Sequence, residues 1–196
     1  LHNPPTLVGV AACKELMPTT PMVGVFDTAF HQTMPPKAFI YGVPYEYYEK
    51  YKVRRYGFHG TSHKFVSQRV AEILGKKPED LNIVTCHLGN GSSITAVKGG
   101  KCYDTSMGLT PLEGLVMGTR CGSIDPTVVS FIYEQTGMPV KEITDMMTKK
   151  SGLLAVSEIS GDCRDITKAE AEGNKKAHIA REMLLRSVKR FIGAYI

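Results

Sequence analysis

An α/β fold is the expectation from this sequence, and three observations set it. A β-branched run from Leu81 to Cys86, a Gly89-Asn90-Gly91 turn and an alternating return from Ser92 to Val97 describe a hairpin. Lys98-Gly99-Gly100 then turns into Lys101-Cys102-Tyr103-Asp104, a third antiparallel strand. Beyond Asp125-Pro126 the pattern is helical, and strands followed by a run of helices imply one α/β layer unit.

Taken in chain order, Leu7 to Met17 has the small and apolar residues of a packed helix, and Met22-Val23-Gly24-Val25-Phe26 reads as a short buried strand. Asp27 follows that strand. Ligands gather at the carboxyl ends of strands in open α/β sheets, which makes Asp27 a site candidate, although a surface turn aspartate fits equally. Residues 32–56 are rich in Pro, Tyr and Lys with weak periodicity, as expected of a connection or an irregular insertion.

A helix is expected from about Ser62, capped by Thr61 or Ser62, with Phe65, Val66, Val70, Ile73 and Leu74 on an apolar face and Gly75 ending it. Gly57-Phe58-His59-Gly60 therefore lies just before a helix N-terminus. Later helical segments are expected near 128–135, 140–149 and 168–196.

The bulk properties narrow the function. With 196 residues and 42% hydrophobic content the chain can bury a substantial core. No apolar run approaches the roughly 20 residues that span a bilayer, and the opening Leu1-His2-Asn3-Pro4-Pro5 is not a signal peptide. Five cysteines without paired CxxC spacing argue against a disulfide framework or structural zinc and fit a reducing cytoplasm. A net charge of +5 spread along the chain suits an anionic small substrate rather than nucleic acid. The opening without methionine and the apolar ending Phe191-Ile192-Gly193-Ala194-Tyr195-Ile196 lead us to expect that both ends are cuts.

Three glycine-rich stretches could carry chemistry. His87-Leu88-Gly89-Asn90-Gly91-Ser92-Ser93 offers backbone N–H groups and hydroxyls to an anion, though Asn90-Gly91 is also simply a good hairpin turn. Met117 to Pro126 places Arg120 among glycines that allow a ligand close approach; a guanidinium there could grip a phosphoryl group or carboxylate, or merely occupy a surface loop. In the third, Arg54 to His63, His59 could donate a hydrogen bond to an anion while His63 serves structure. A metal set of His59, His63 and His87 is a weaker alternative, because His59 should precede the helix. His31, four residues after Asp27, could hold the loop that positions the carboxylate, although a satisfied loop histidine is the better account; His2 and His178 read as structural, and Asp162-Cys163-Arg164 as a capped helix approach.

Together, Val25 to Pro35, Tyr56 to His63, His87 to Ile94, Asp104 to Gly108 and Gly118 to Pro126 resemble the acetate kinase family in order and spacing. Individually weak, the five motifs in register are specific, and the resemblance covers essentially the whole chain. It implies the ribonuclease H-like fold of the sugar kinase, Hsp70 and actin superfamily. Residues 1–30 would be the last helix and strand of a first domain, and 31–196 a second domain stopping before its sheet is complete. The family's amino-terminal phosphate loop, its later adenosine-binding segment and its Mg²⁺-contacting glutamate have no counterpart here, so a working nucleotide cleft is in doubt for this chain alone.

The resemblance further implies reversible phosphoryl transfer from ATP to acetate with Mg²⁺, cytoplasmic location and a homodimer. Asp27 would be the catalytic carboxylate, with any metal contact made through water, and His59 and Arg120 the transition-state stabilisers. His87, Leu88, Gly89, Asn90 and Gly91 would form a phosphate-binding turn, with Asp162, Cys163 and Arg164 as a second ATP contact. Phe58, Pro111 and Leu1 would line a pocket for the substrate methyl group. A propionate kinase, a noncatalytic dimerisation module and a metal-dependent hydrolase are the competing expectations.

Overall fold

The alternation in the hairpin is realised as expected. β1 (Asn82–Leu88), β2 (Ser92–Lys98) and β3 (Lys101–Thr105) form an antiparallel sheet in the order β1-β2-β3. In the computed structural model, which describes residues 3–196, β1 and β2 pair from Asn82↔Lys98 to Leu88↔Ser92, with a register irregularity between Ala96 and Val97 where β3 joins. β2 is the central strand and the most buried, its polar Ser92, Ser93 and Thr95 included. Buried hydroxyls on a central strand need partners, and those partners define the site below.

The amino-terminal elements depart from expectation. Helix α1 (Asn3–Leu16) forms, but it buries none of its residues. Residues 22–26 are not a buried strand: they are unpaired coil and exposed, Val23 at 86%. A strand is completed by the backbone groups of a neighbour, and among the described residues none pairs with this segment. The stretch 32–56 is largely irregular, as expected, but includes short helices α2 (Pro36–Phe39) and α3 (Tyr45–Tyr51) and an isolated Ile40↔Arg54 bridge.

Helix α4 (Gly60–Ile73) begins two residues before the expected start, and neither Thr61 nor Ser62 caps it. Its N-cap is His59, held in the left-handed region at φ 58°. The expected apolar face is also wrong. Phe65 (67%) and Ile73 (69%) are exposed, as are Val66 and Leu74, while Gly60, His63, Ser67 and Ala71 are buried. The buried residues sit three or four apart, so α4 packs through small and polar groups, which allow close approach to the sheet and reserve the face for hydrogen bonds.

The helical half follows the sequence pattern more closely. α5 (Thr127–Thr136) and α6 (Val140–Lys149) lie where expected, and α7 (Gly152–Ser157) is an additional short helix. The expected single helix over 168–196 is two: α8 (Cys163–Ala171) and α9 (Lys175–Tyr195). The break has a local cause. Gly173 adopts φ 89°, closed to most side chains, and Asn174 caps α9 by accepting from the Ala177 N–H at 3.0 Å. Ile94, Met107, Leu115, Met117, Ile143, Leu153, Ile166, Ala177 and Ala180 make the core between sheet and helices.

Candidate active site

Asp27 fixes the start of α4 twice over. Its carbonyl accepts the Gly60 N–H at 2.8 Å, and its Oδ2 accepts the His59 N–H at 2.7 Å. A Cβ on Gly60 would overlap the Asp27 carbonyl, so this approach requires glycine. The carboxylate thus satisfies an otherwise orphaned amide at a helix start, and its charge suits the helix dipole. Its Oδ1 makes no hydrogen bond among the described residues.

The left-handed turn at His59 directs its imidazole into the sheet end. His59 Nδ1 lies 2.8 Å from Ser93 Oγ, and His87 of β1 stacks on the ring at 4.0 Å between centroids and 20° between planes. His87 is itself held by Ser62, Nδ1 to Oγ 2.9 Å. Burial, then the neighbouring His87, lowers the His59 pKa to about 4, so the ring is neutral at pH 7.

Arg120 reaches the same point from the other half of the chain. Its loop is secured by the N–H groups of Ser151, Leu153 and Leu154, which donate to the carbonyls of Thr119, Met117 and Gly118 at 2.9 Å each. The start of α7 therefore holds the arginine loop. The guanidinium donates to the Pro111 carbonyl at 3.4 Å. Burial lowers its pKa, with no acidic neighbour contributing an opposing effect; it remains charged, as arginine does.

The hairpin turn is where these groups meet. A Cβ placed on Gly91 would lie 2.9 Å from Arg120 Nη1 and 3.4 Å from His59 Nε2. Any side chain here would occupy the space between the two donors. The turn is closed by Ser92 Oγ donating to the Gly89 carbonyl at 2.8 Å, and Gly118 N–H donates to the Asn90 carbonyl at 3.2 Å, joining the turn to the arginine loop. Gly161 lies against the backbone of Gly118. A cation with no anionic partner among the described residues, a neutral imidazole and a glycine turn around one point can receive an anion with three oxygens.

Most of the sequence candidates are brought together here. His59 and Arg120 meet at Gly91, His87 stacks on His59, Asp27 holds the His59 amide, and Gly89, Asn90 and Gly91 form the turn, with Leu88 exposed beside it; Phe58 precedes His59 and gives its carbonyl to His31 Nε2 at 2.8 Å, and Pro111 is tied to Arg120. Asp162, Cys163 and Arg164 stand at the start of α8, one residue beyond Gly161. There Asp162 accepts the Arg164 N–H at 2.8 Å and pairs with its guanidinium at 2.6 Å, which holds the Asp162 carboxyl down to about 2. Leu1 and His2 lie outside the described residues. His31 is a buried, fully partnered histidine, as read from the sequence. Among the described residues no group of three His, Cys, Asp or Glu is placed to hold a metal.

Thr85 was not singled out from sequence; Ser62 was expected as a helix cap and Ser93 as a donor to an anion, but Ser62 holds His87 and the buried Ser93 is bonded to His59 and His63. Ser93 and Thr85 each bond a site histidine or its neighbour while fully buried. The available signal was a polar residue on the inward face of a strand.

Comparison with known proteins identifies the family. The family model described as Acetokinase family matches residues 1–196. The acetate kinase of Methanosarcina thermophila is 62% identical over 195 residues, covering all of this chain and 48% of that protein. The crystal structure of Porphyromonas gingivalis acetate kinase superposes with a TM-score of 0.95 at 50% identity, and that of a propionate kinase from Francisella tularensis with 0.96 at 48%. This chain is covered completely in both, against 49% and 50% of those chains. It spans about half the length of the curated relatives it matches. With a family model over the whole chain and whole-chain similarity in agreement, the chain belongs to the acetokinase family.

Proposed function

We propose that this chain carries the phosphoryl-transfer centre of an acetate kinase, which reversibly moves the γ-phosphoryl group of ATP to acetate, giving acetyl phosphate and ADP. The observation that carries this reading is the convergence of Arg120 Nη1 and His59 Nε2 on the Gly91 turn. In the forward direction an acetate oxygen bonds to the γ-phosphorus as the bond to the ADP oxygen breaks. Charge on the three equatorial oxygens must be met by donors already in place, and Arg120, His59 and the N–H groups of the turn are such donors. Acetate, with a carboxyl pKa of about 4, has no proton to lose at neutral pH, so no general base is needed.

Asp27 then has a different task. Its Oδ2 orders the His59 backbone and its open Oδ1 can face a hydrated Mg²⁺, which typically takes only one or two carboxylates beside waters and phosphates. The metal would neutralise charge on the nucleotide phosphates; Asp27 would orient its waters and align the acceptor. We assign Asp162, Cys163 and Arg164 to nucleotide contact, and Phe58, Pro111 and Leu1 to the substrate methyl pocket. A two-lobed arrangement dividing near residue 30, a homodimer and a cytoplasmic location belong to the same reading, supported by the family. No described helix is long and apolar enough to cross a membrane.

The similarity to a propionate kinase from Francisella tularensis favours one alternative substrate. A hydroxamate assay with acetate, propionate and butyrate separates them: kcat/KM highest for acetate supports the proposal, and a maximum at propionate moves the assignment to the longer acid. Nucleotide binding without turnover on any acid would favour a noncatalytic module.

A further inference from the structure

Beneath His59 lies a file of buried polar groups that the reaction does not touch. Ser93 Oγ stands 2.8 Å from His59 Nδ1 and 2.7 Å from His63 Nε2. His63 Nδ1 is in turn 2.7 Å from Thr85 Oγ1, whose only other hydrogen bond among the described residues is to the Thr95 carbonyl at 3.4 Å. Ser93, His63 and Thr85 are all buried.

Such a file has few proton arrangements. Each hydroxyl carries one proton and a neutral imidazole carries one N–H. His63 is kept neutral by burial and by His31, His59 and His87 around it, its pKa lowered to about 3. The protons therefore run all one way. In one direction Thr85 donates to His63, His63 Nε2–H to Ser93 and the Ser93 hydroxyl to His59 Nδ1, leaving the His59 proton on Nε2. In the other, every donor is reversed and His59 Nε2 becomes a bare lone pair.

Two features favour the first direction. The reversed file ends on the Thr85 to Thr95 contact, whose 3.4 Å lies beyond the usual hydrogen-bond range. The forward file ends on a donor beside Arg120, at a point suited to an anion. His87 covers the ring face and is held by Ser62, so it does not compete for either ring nitrogen of His59.

We propose that Ser93 and His63 are positioning residues that hold His59 as the neutral tautomer protonated on Nε2, presenting a fixed hydrogen-bond donor to the transferred group. The identity of that group rests on the phosphoryl-transfer reading; the tautomer does not. Conversely, the direction of the file is what lets a histidine with a pKa near 4 serve as a donor at neutral pH.

The test is a long-range ¹H–¹⁵N correlation spectrum of the ¹⁵N-histidine-labelled protein at pH 7.5, for wild type, Ser93→Ala, His63→Gln and His63→Leu, with kcat and KM measured alongside. His59 in the wild type should show the Nε2–H pattern, and Ser93→Ala should turn it into a tautomer mixture. The same variant should lower kcat by about tenfold, the worth of one hydrogen bond, with KM little changed. His63→Gln, which keeps an N–H toward Ser93, should retain more activity than His63→Leu. An Nδ1-protonated His59 in the wild type overturns the proposal, as does an unchanged tautomer in a folded Ser93→Ala. The wild-type spectrum is read without substrate and needs no variant to fold, so a protein inactive in phosphoryl transfer overturns the functional reading alone.

Discussion

His31, His59 and His63 are packed around Ser93, Thr85 and the Phe58 carbonyl, and burial lowers the pKa of all three, His59 to about 4 and His63 to about 3. The unfolded chain would protonate them near pH 6.5, so below that value it binds more protons than the folded one. Their contribution to stability is thus full above pH 6.5 and is lost as pH falls toward 4. Urea midpoints measured at pH 7.5, 6 and 5 should decline in that order; a midpoint that holds or rises would contradict the neutral assignment. Arg120 makes the complementary prediction for activity. Arg120→Ala should cost about 10²–10³-fold in kcat, the range for one preorganised donor, and Arg120→Lys should recover only part, since an ammonium lacks the planar fork. Circular dichroism should show both variants folded. His59 and Arg120 were legible in the sequence because charged or titratable groups among glycines are uncommon in ordinary loops, whereas Asp27 was reached through the end of an expected strand that does not form. Thr85 was not legible, and Ser93 was read as facing an anion, because a hydroxyl on a strand looks the same whether it faces a ligand, water or a histidine.

Helix α4 shows what local pattern reading misses at the level of the element. Its expected apolar face is exposed and its buried face is Gly60, His63, Ser67 and Ala71, because the helix approaches the sheet closely enough for histidine to hydrogen bond to two strands. Its start is set by Asp27, 33 positions before Gly60 in the chain, where no capping signature within the helix could announce it. Gly60→Ala should therefore displace the His59 turn, since the added Cβ overlaps the Asp27 carbonyl. The expected loss is about 1–3 kcal/mol of stability, as for overpacking elsewhere, measured by denaturant unfolding and accompanied by a change in the His59 resonances. The hairpin was legible to within two residues because strand alternation and the Gly-Asn-Gly turn are local signals. The division between α8 and α9 could have been found from Gly173-Asn174, a helix stop followed by a cap. Asn174→Ala should cost about 1 kcal/mol by the same method, and no measurable loss would assign the break to tertiary packing instead.

Across the whole molecule, sheet and helices bring together three loops that are distant in sequence: the turn before α4, the β1–β2 hairpin and the Arg120 loop anchored by α7. The α/β class was readable from strands followed by helices, and the arrangement of the loops followed from the family resemblance rather than from any one motif. The segment before Asp27 was misread because a strand's existence depends on a neighbour that no local pattern records. The most direct test of the proposed centre is ATP formation from acetyl phosphate and ADP with Mg²⁺, followed by luminescence, in the wild type and in Arg120→Ala. ATP should accumulate with the wild type and fall by about 10²-fold or more in the variant. Equal rates in the two proteins, or no ATP from the wild type, would contradict the assignment of phosphoryl transfer to these loops.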